Sequence, residues 1–303
     1  MIFSLSTKIK CHFIDSDNYY SLKSFIKFTN YFFNDLNCKI INNSDNIYDG
    51  MIYDIQDDYD VNGINKINIL LCVENCNYWK HYTHYNKYGN YGNSKIKIYL
   101  YNHIDKLEVT ENYIGIPIIH LQINYLQKFY NIIKPTKYIQ FLSEKKKFCL
   151  IATNLNADFK NNIYNMLSKI EKCDLIDNFK DKIKNKSCYH DVELLNLFNE
   201  YKFVFVSENS VNDGYITEKI FNCYFSRTIP IYYGSKKIDY YFNNNSFINI
   251  VDHNNLDNTM ILIKNILNNN ELYQSYINSA IINNSYDNED YKNVVNNFLQ
   301  NNI

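Results

Sequence analysis

The sequence predicts an α/β protein of two parallel-sheet domains, and three observations predict it. Apolar segments of strand length alternate with amphipathic helical segments through both halves of the chain. Residues 66–74 (KINILLCVE) form a continuous apolar run, the pattern of a strand covered on both faces. The chain has 303 residues, and at roughly 150 residues per domain that length holds two. Such alternation implies crossover helices, a parallel sheet and ligand sites at the carboxyl ends of its strands.

Taken in order, residues 8–14 read as a strand, 21–36 as a helix, and 50–55 and 66–74 as strands. Residues 75–93, rich in Tyr, His and Asn, read as a long loop. Strands over 95–101 and 113–120 and a helix over 122–133 follow. Pro135 and the charge run Glu144-Lys145-Lys146-Lys147 mark a linker over 134–147. Beyond it, 148–152 reads as a strand, 158–170 as a helix, 173–176 as a strand, 192–201 as a helix and 202–207 as a strand. A helix over 216–226, strands over 229–233 and 247–251, and two or three Asn-rich helices from 256 onward complete the chain. The expected organisation is twin Rossmann-like domains facing a cleft, 1–145 and 146–303. No internal repeat is found, and the Asn runs 243–245 and 268–270 suit loops or caps.

Composition removes several alternatives. Apolar residues make up 46% and aromatic residues 17%, ample for a core and opposite to the composition of disordered chains. Lys and Arg number 31 and Asp and Glu 32, a formal charge of −1, so no global basic field favours nucleic acid or an anionic membrane. Gly 7 and Pro 3 are scarce, whereas Tyr reaches 30. Codons of Tyr, Asn, Ile and Lys are A/T-rich and those of Gly and Pro G/C-rich, so base composition accounts for this profile. The 8 cysteines, at 11, 38, 72, 76, 149, 173, 188 and 223, include no Cys-x-x-Cys pair, and reduced, mostly buried thiols are expected. Residues 1–10 lack a signal-type apolar core, and no stretch approaches the ~18 apolar residues of a membrane span. A soluble, cytoplasmic protein is expected, in the host cytoplasm if the A/T-rich source is a virus or intracellular parasite.

The chemistry concentrates in 202–235, KFVFVSENSVNDGYITEKIFNCYFSRTIPIYYGS. This reads as a buried strand, a polar loop, an amphipathic helix and a second strand. Ile216, Ile220, Phe221, Tyr224 and Phe225 recur at helical spacing as the packed face, with Glu218, Lys219 and Asn222 away from it. The loop 208–214 feeds a helix N-terminus, whose N–H groups and partial positive charge suit a phosphate. Lys219 in the first turn opposes the helix dipole, a local conflict that points to an anionic ligand. Neither G-x-x-x-x-G-K-[ST] nor G-x-G-x-x-G occurs, so neither a P-loop nor a dinucleotide fingerprint is supported.

The ordered string Ser207-Glu208-Asn209-Ser210, Gly214-Tyr215-Ile216-Thr217-Glu218-Lys219 and Ile229-Pro230-Ile231 ending at Gly234 resembles the signature of the glycosyltransferase family 10 fucosyltransferases. Asp239-Tyr240 and Ser246-Phe247-Ile248 continue the likeness. Upstream, 153–160 (TNLNADFK) resembles the family's S-N-P-N-A-x-x-R segment, with Lys160 in place of the phosphate-contacting Arg. Lys keeps the charge and loses the bidentate fork, so weaker or altered donor binding is implied. Val73-Glu74-Asn75 resembles the G-E-N of bacterial members, with Ile116-Pro117-Ile118 following.

The resemblance implies a GT-B fold with an acceptor-binding domain first and a donor domain second. It implies transfer of fucose from GDP-fucose, with inversion, to a hydroxyl of a glycan or glycoprotein acceptor, alpha-1,3-fucosyltransferase-like and without an essential metal or other cofactor. Glu74 is then the general base, a role a partly buried carboxylate can fill. Lys160, Lys219 and the helix N-terminus near Tyr215 face the departing diphosphate. Glu218 accepts hydrogen bonds from ribose or fucose hydroxyls, and Asn154, Asn209 and Tyr215 line the donor site.

Other motifs have plainer readings. Asp57-Asp58-Tyr59-Asp60 and Asp15-Ser16-Asp17 imitate a metal-binding D-x-D but suit loops or caps. Tyr78, Trp79, His81, Tyr82, His84 and Tyr85 either stack on sugar rings or pack their own loop. A zinc site from Cys72, Cys76, His81 and His84 is disfavoured because Cys72 falls within a buried strand, and His190 beside Cys188 has no identified partner. Two rival functions stand beside the main one: the same fold with another nucleotide-sugar donor, and a non-catalytic nucleotide-sugar-binding or scaffold protein.

Overall fold

A computed structural model of the chain describes residues 2–7, 39–42, 50–54, 67–72, 96–101, 108–109, 111, 113–130, 145, 147–153, 155, 158–176, 192–250 and 256–302. These fall into two compact units, one of 1–128 with 212–215 and 287–303, the other of 129–211 with 216–286.

The first unit holds a seven-stranded sheet. Its strands are β1 (Ile2–Thr7), β2 (Lys39–Asn42), β3 (Gly50–Asp54), β4 (Ile67–Cys72), β5 (Ile96–Tyr101), β6 (Glu108–Val109) and β7 (Tyr113–Pro117). The order is β2-β1-β3-β4-β5-β7-β6, and every pairing is parallel except β6 with β7. The apolar run at 66–74 is thus a central strand, as its lack of alternation predicts. The strand expected over 113–120 stops at Pro117, where helix α1 (Ile118–Tyr130) begins. Residues 118–126 are buried all round, and a continuous apolar run does not separate a strand from a buried helix. β1, β2 and β6 were not expected from the sequence. The strand expected over 8–14, the helix over 21–36 and the aromatic loop 75–93 lie outside the described residues.

The second unit holds β8 (Lys147–Ile151), α2 (Asp158–Ser168), β9 (Cys173–Leu175), α3 (Val192–Asn199) and β10 (Tyr201–Ser207). It continues with α4 (Glu218–Phe225), β11 (Ile229–Tyr233), α5 (Ile238–Tyr241), β12 (Ile248–Asn249), α6 (Leu256–Asn268) and α7 (Asn270–Asn278). A last helix, α8 (Asn288–Asn302), returns to the first unit, where Tyr291 stacks on the buried His120 ring at 3.5 Å. The second sheet runs β12-β11-β10-β8-β9, wholly parallel. In chain order this is 2-1-3-4-5, a doubly wound order whose direction reverses between β8 and β10.

Packing follows from the apolar strands. Phe203, Phe205, Ile229 and Ile231 bury against Ile163, Met166 and Leu167 of α2 and Ile263 and Ile266 of α6. Each such large side chain contributes about 1.5–3 kcal/mol. Cys149 and Cys173, direct partners across β8 and β9, are buried free thiols there, as is Cys223 in α4.

Lys145, expected in a linker, is instead a structural node. Its Nζ donates to the carbonyls of Asn199 (2.9 Å) and Ser226 (3.0 Å), to Asn199 Oδ1 (3.0 Å) and to Thr228 Oγ1 (3.0 Å). Those carbonyls stand at the C-terminal ends of α3 and α4, where a cation complements the helix dipole. Burial, helped by Arg227, pulls its pKa down to about 7. Arg227 itself takes the left-handed conformation (φ 53°) that ends α4, its N–H donating to Tyr224 O and that of Thr228 to Cys223 O.

Candidate functional site

In an open parallel sheet the ligand crevice lies at the carboxyl ends of the strands, where the strand order reverses. In the second unit that point lies between β8 and β10. Thr153, just beyond β8, and Ser207, the last residue of β10, meet there through their hydroxyls at 2.7 Å. Lys160, in the first turn of α2, reaches back to Thr153 Oγ1 at 3.4 Å and is only 7% exposed. Burial lowers its pKa from the ordinary 10.5, the charge of Lys219 lowers it further, and Glu208 opposes both.

Glu208 follows β10 directly, and its side chain is 0% exposed. It takes the backbone N–H of Thr217 on Oε1 at 2.8 Å, and the Thr217 hydroxyl on Oε2 at 2.7 Å. The Lys219 ammonium donates to the same Oε2 at 3.0 Å and to Thr217 Oγ1 at 2.8 Å. Tyr232, on neighbouring β11, points its hydroxyl at Oε1 from 3.5 Å and accepts from the Ser235 N–H at 3.2 Å. A buried carboxylate needs such donors in place of the water it loses.

The helix expected from 216 begins at Glu218, because Thr217 is extended (φ −113°, ψ −168°) and takes the N-cap position. Its hydroxyl makes no capping bond and serves Glu208 instead. Lys219 does oppose the dipole of α4, but Glu208 within the same unit already compensates it. The dipole conflict alone therefore does not require a ligand. Glu218 Oε1 lies 3.6 Å from Lys219 Nζ.

Of the residues expected at a site, Lys160, Glu218 and Lys219 gather at this carboxyl edge of the second unit. Asn209 is exposed immediately after Glu208. Tyr215, grouped with the first unit, is buried, its N–H donating to Asn212 O at 3.2 Å. Glu74 and Asn154 lie outside the described residues, as do Cys76, His81, His84, Cys188 and His190. Glu208 and Thr217 lie in the string that resembles the family signature but were given no role in the site; the signals for Glu208 were that motif and a carboxylate following an unbroken apolar strand. Among the described residues no group of three His, Cys, Asp or Glu is placed to hold a metal.

An anion bound at Lys160 favours its ammonium form, so binding takes up a proton wherever the free protein has released it. Affinity for sulfate, which exchanges no proton in this range, is expected to fall as pH rises through the lowered Lys160 pKa, ahead of the ordinary 10.5. Calorimetry of the wild type and of Lys160→Met checks this, the variant being insensitive there; a flat wild-type profile contradicts the arrangement.

Fold and site together define a doubly wound α/β unit with Lys160 and the Glu208-held Lys219 at the carboxyl edge of its sheet. Residues 141–290 match the model described as glycosyltransferase family 10 (fucosyltransferase) C-term. The chain is 37% identical over 114 residues to the alpha-(1,3)-fucosyltransferase FucT of Helicobacter pylori, and 31% identical over 140 residues to the human 4-galactosyl-N-acetylglucosaminide 3-alpha-L-fucosyltransferase 9. These matches cover 38% and 45% of this chain, but only 23% and 37% of the two relatives' lengths. A crystal structure of an alpha1,3-fucosyltransferase superposes with TM-score 0.63 at 20% identity, covering 100% of this chain and 90% of that one. The same enzyme type with GDP gives 0.61, at 18% identity, over 99% and 90% of the two chains. This likeness establishes the GT-B fold, and over residues 141–290 the chain belongs to glycosyltransferase family 10.

Proposed function

We propose that the protein is an inverting glycosyltransferase that moves fucose from GDP-fucose to a hydroxyl of a glycan or glycoprotein acceptor, in the alpha-1,3 manner and without an essential metal. The observation that carries this reading is the placement of two lysines at the carboxyl edge of a family 10 domain, Lys160 on Thr153 beyond β8 and Lys219 on the buried Glu208 after β10. Solved structures with this fold hold GDP and GDP-fucose.

In this reaction the acceptor oxygen attacks the anomeric carbon as the bond from that carbon to the phosphate oxygen breaks. The bonding pair leaves with GDP, and the hydroxyl proton passes to a base. Glu74, two residues beyond β4, is proposed as that base. Lys160 and Lys219 neutralise the charge growing on the diphosphate in place of a cation. Glu218 accepts from ribose or fucose hydroxyls, and Asn154, Asn209 and Tyr215 contact the donor. Lys160, a point charge where the family has a guanidinium fork, favours a second reading in which another nucleotide sugar is the donor.

A thermal-shift panel of GDP-fucose, GDP-mannose, UDP-sugars and dTDP-sugars separates these readings. GDP-fucose is expected to raise the melting temperature most, as a ligand binding only the folded state must, and to be turned over with a glycan acceptor. Stabilisation by uridine or thymidine sugars alone would overturn the donor assignment. Absence of any binding would indicate a non-catalytic protein.

A further inference from the structure

Glu208 is more completely enclosed than Glu218, the other described carboxylate of the site, and the fold spends several residues on holding it. Besides the donors from Thr217, Lys219 and Tyr232, its own N–H is fixed on Tyr233 O at 2.8 Å. Gly234 leaves the space its side chain needs: a Cβ there would stand 2.6 Å from Glu208 Cγ and closer still to the Tyr232 hydroxyl. Strands β10 and β11 thus aim one buried carboxylate at the first turn of α4.

Among the described hydrogen-bond partners of Glu208, Lys219 is the charged one, with its side chain 21% exposed. A lysine on a helix surface ordinarily samples many rotamers, and ordering its ammonium on binding costs affinity. Here Glu208 Oε2 and Thr217 Oγ1 fix that ammonium before any ligand arrives. We infer that Glu208 is a positioning residue for donor binding: it acts through Lys219, holding its ammonium where the diphosphate is received. This rests on the proposed function, and deepens it.

Glu208→Gln isolates the effect. The amide keeps the volume and an acceptor for the Thr217 N–H, and the Thr217 hydroxyl can turn to accept. The Lys219 ammonium, which only donates, loses its buried carboxylate partner and keeps the neutral Thr217 hydroxyl. Two readouts are taken: the rate at which trinitrobenzenesulfonate labels Lys219, which needs no donor, and the dissociation constant for GDP. Labelling is expected to rise at least about threefold, because the ammonium is no longer held on the carboxylate at 3.0 Å. The GDP constant is expected to rise about tenfold, as for loss of one charge-assisted contact, with the acceptor KM unchanged. Thr217→Ser retains the hydroxyl and restores wild-type behaviour. If Glu208→Gln does not fold, Thr217→Val, which keeps the N–H but removes the bridging hydroxyl, shifts both readouts in the same direction. Unchanged labelling, or GDP affinity within twofold of wild type, overturns the inference. Faster labelling in a protein whose wild type binds no GDP supports the anchoring of Lys219 and overturns the functional reading instead.

Discussion

Lys219→Ala is expected to lower kcat/KM with GDP-fucose by about 10²–10³-fold, the usual loss when one electrostatic stabiliser of a developing charge is removed. Stability needs separate treatment, because the ammonium lies 3.0 Å from a carboxylate whose side chain is 0% exposed. Removing it leaves Glu208 with Thr217 and the longer Tyr232 contact, which costs about 1–3 kcal/mol. The double variant Lys219→Met/Glu208→Gln removes both charges, so it is expected to regain most of the melting temperature and none of the turnover. Glu218→Ala loses turnover with little change in melting, since Glu218 is partly exposed. Activity recovered along with stability in the double variant would show that Lys219 acts on the fold alone.

Gly234→Ala is expected to be the most damaging single methyl in the second unit. The added Cβ meets Glu208 Cγ at 2.6 Å and the Tyr232 hydroxyl closer than that, and both neighbours are buried with their own hydrogen bonds. Neither can yield without displacing β11 or the carboxylate. Overpacking of this kind costs about 1–3 kcal/mol, and a displaced Glu208 forfeits charge-assisted bonds worth about as much again. For a unit of this size that corresponds to a melting temperature roughly 5–15 °C lower, together with lost GDP binding. Differential scanning calorimetry decides; a variant melting within a degree of wild type with GDP affinity intact contradicts the packing described.

Much of the second unit is legible in the sequence because its strands are uninterrupted apolar runs separated by amphipathic helices. Residues 229–233 form β11 as expected, and β10 and α4 shift by one or two residues at their starts. The helix edge moves because Thr217 spends its hydroxyl on a carboxylate nine positions away, which no local propensity records. Glu208 escapes for the same reason. Its donors come from 217, 219 and 232, and its space from 234, residues that meet only once β10 and β11 pair. Lys145 escapes because a charge run, Glu144 to Lys147, reads as solvent-facing until the ends of α3 and α4 converge on it. The need for glycine at 234 is likewise set by the fold: a Cβ there would meet Glu208 Cγ at 2.6 Å.

The most direct measurement is a crystal structure of the protein soaked with GDP-fucose. Diphosphate density within hydrogen-bond distance of both Lys160 Nζ and Lys219 Nζ, with Lys219 still held by Glu208, is the predicted result. Donor density elsewhere, or a diphosphate that touches neither lysine, would contradict the site and the function drawn from it.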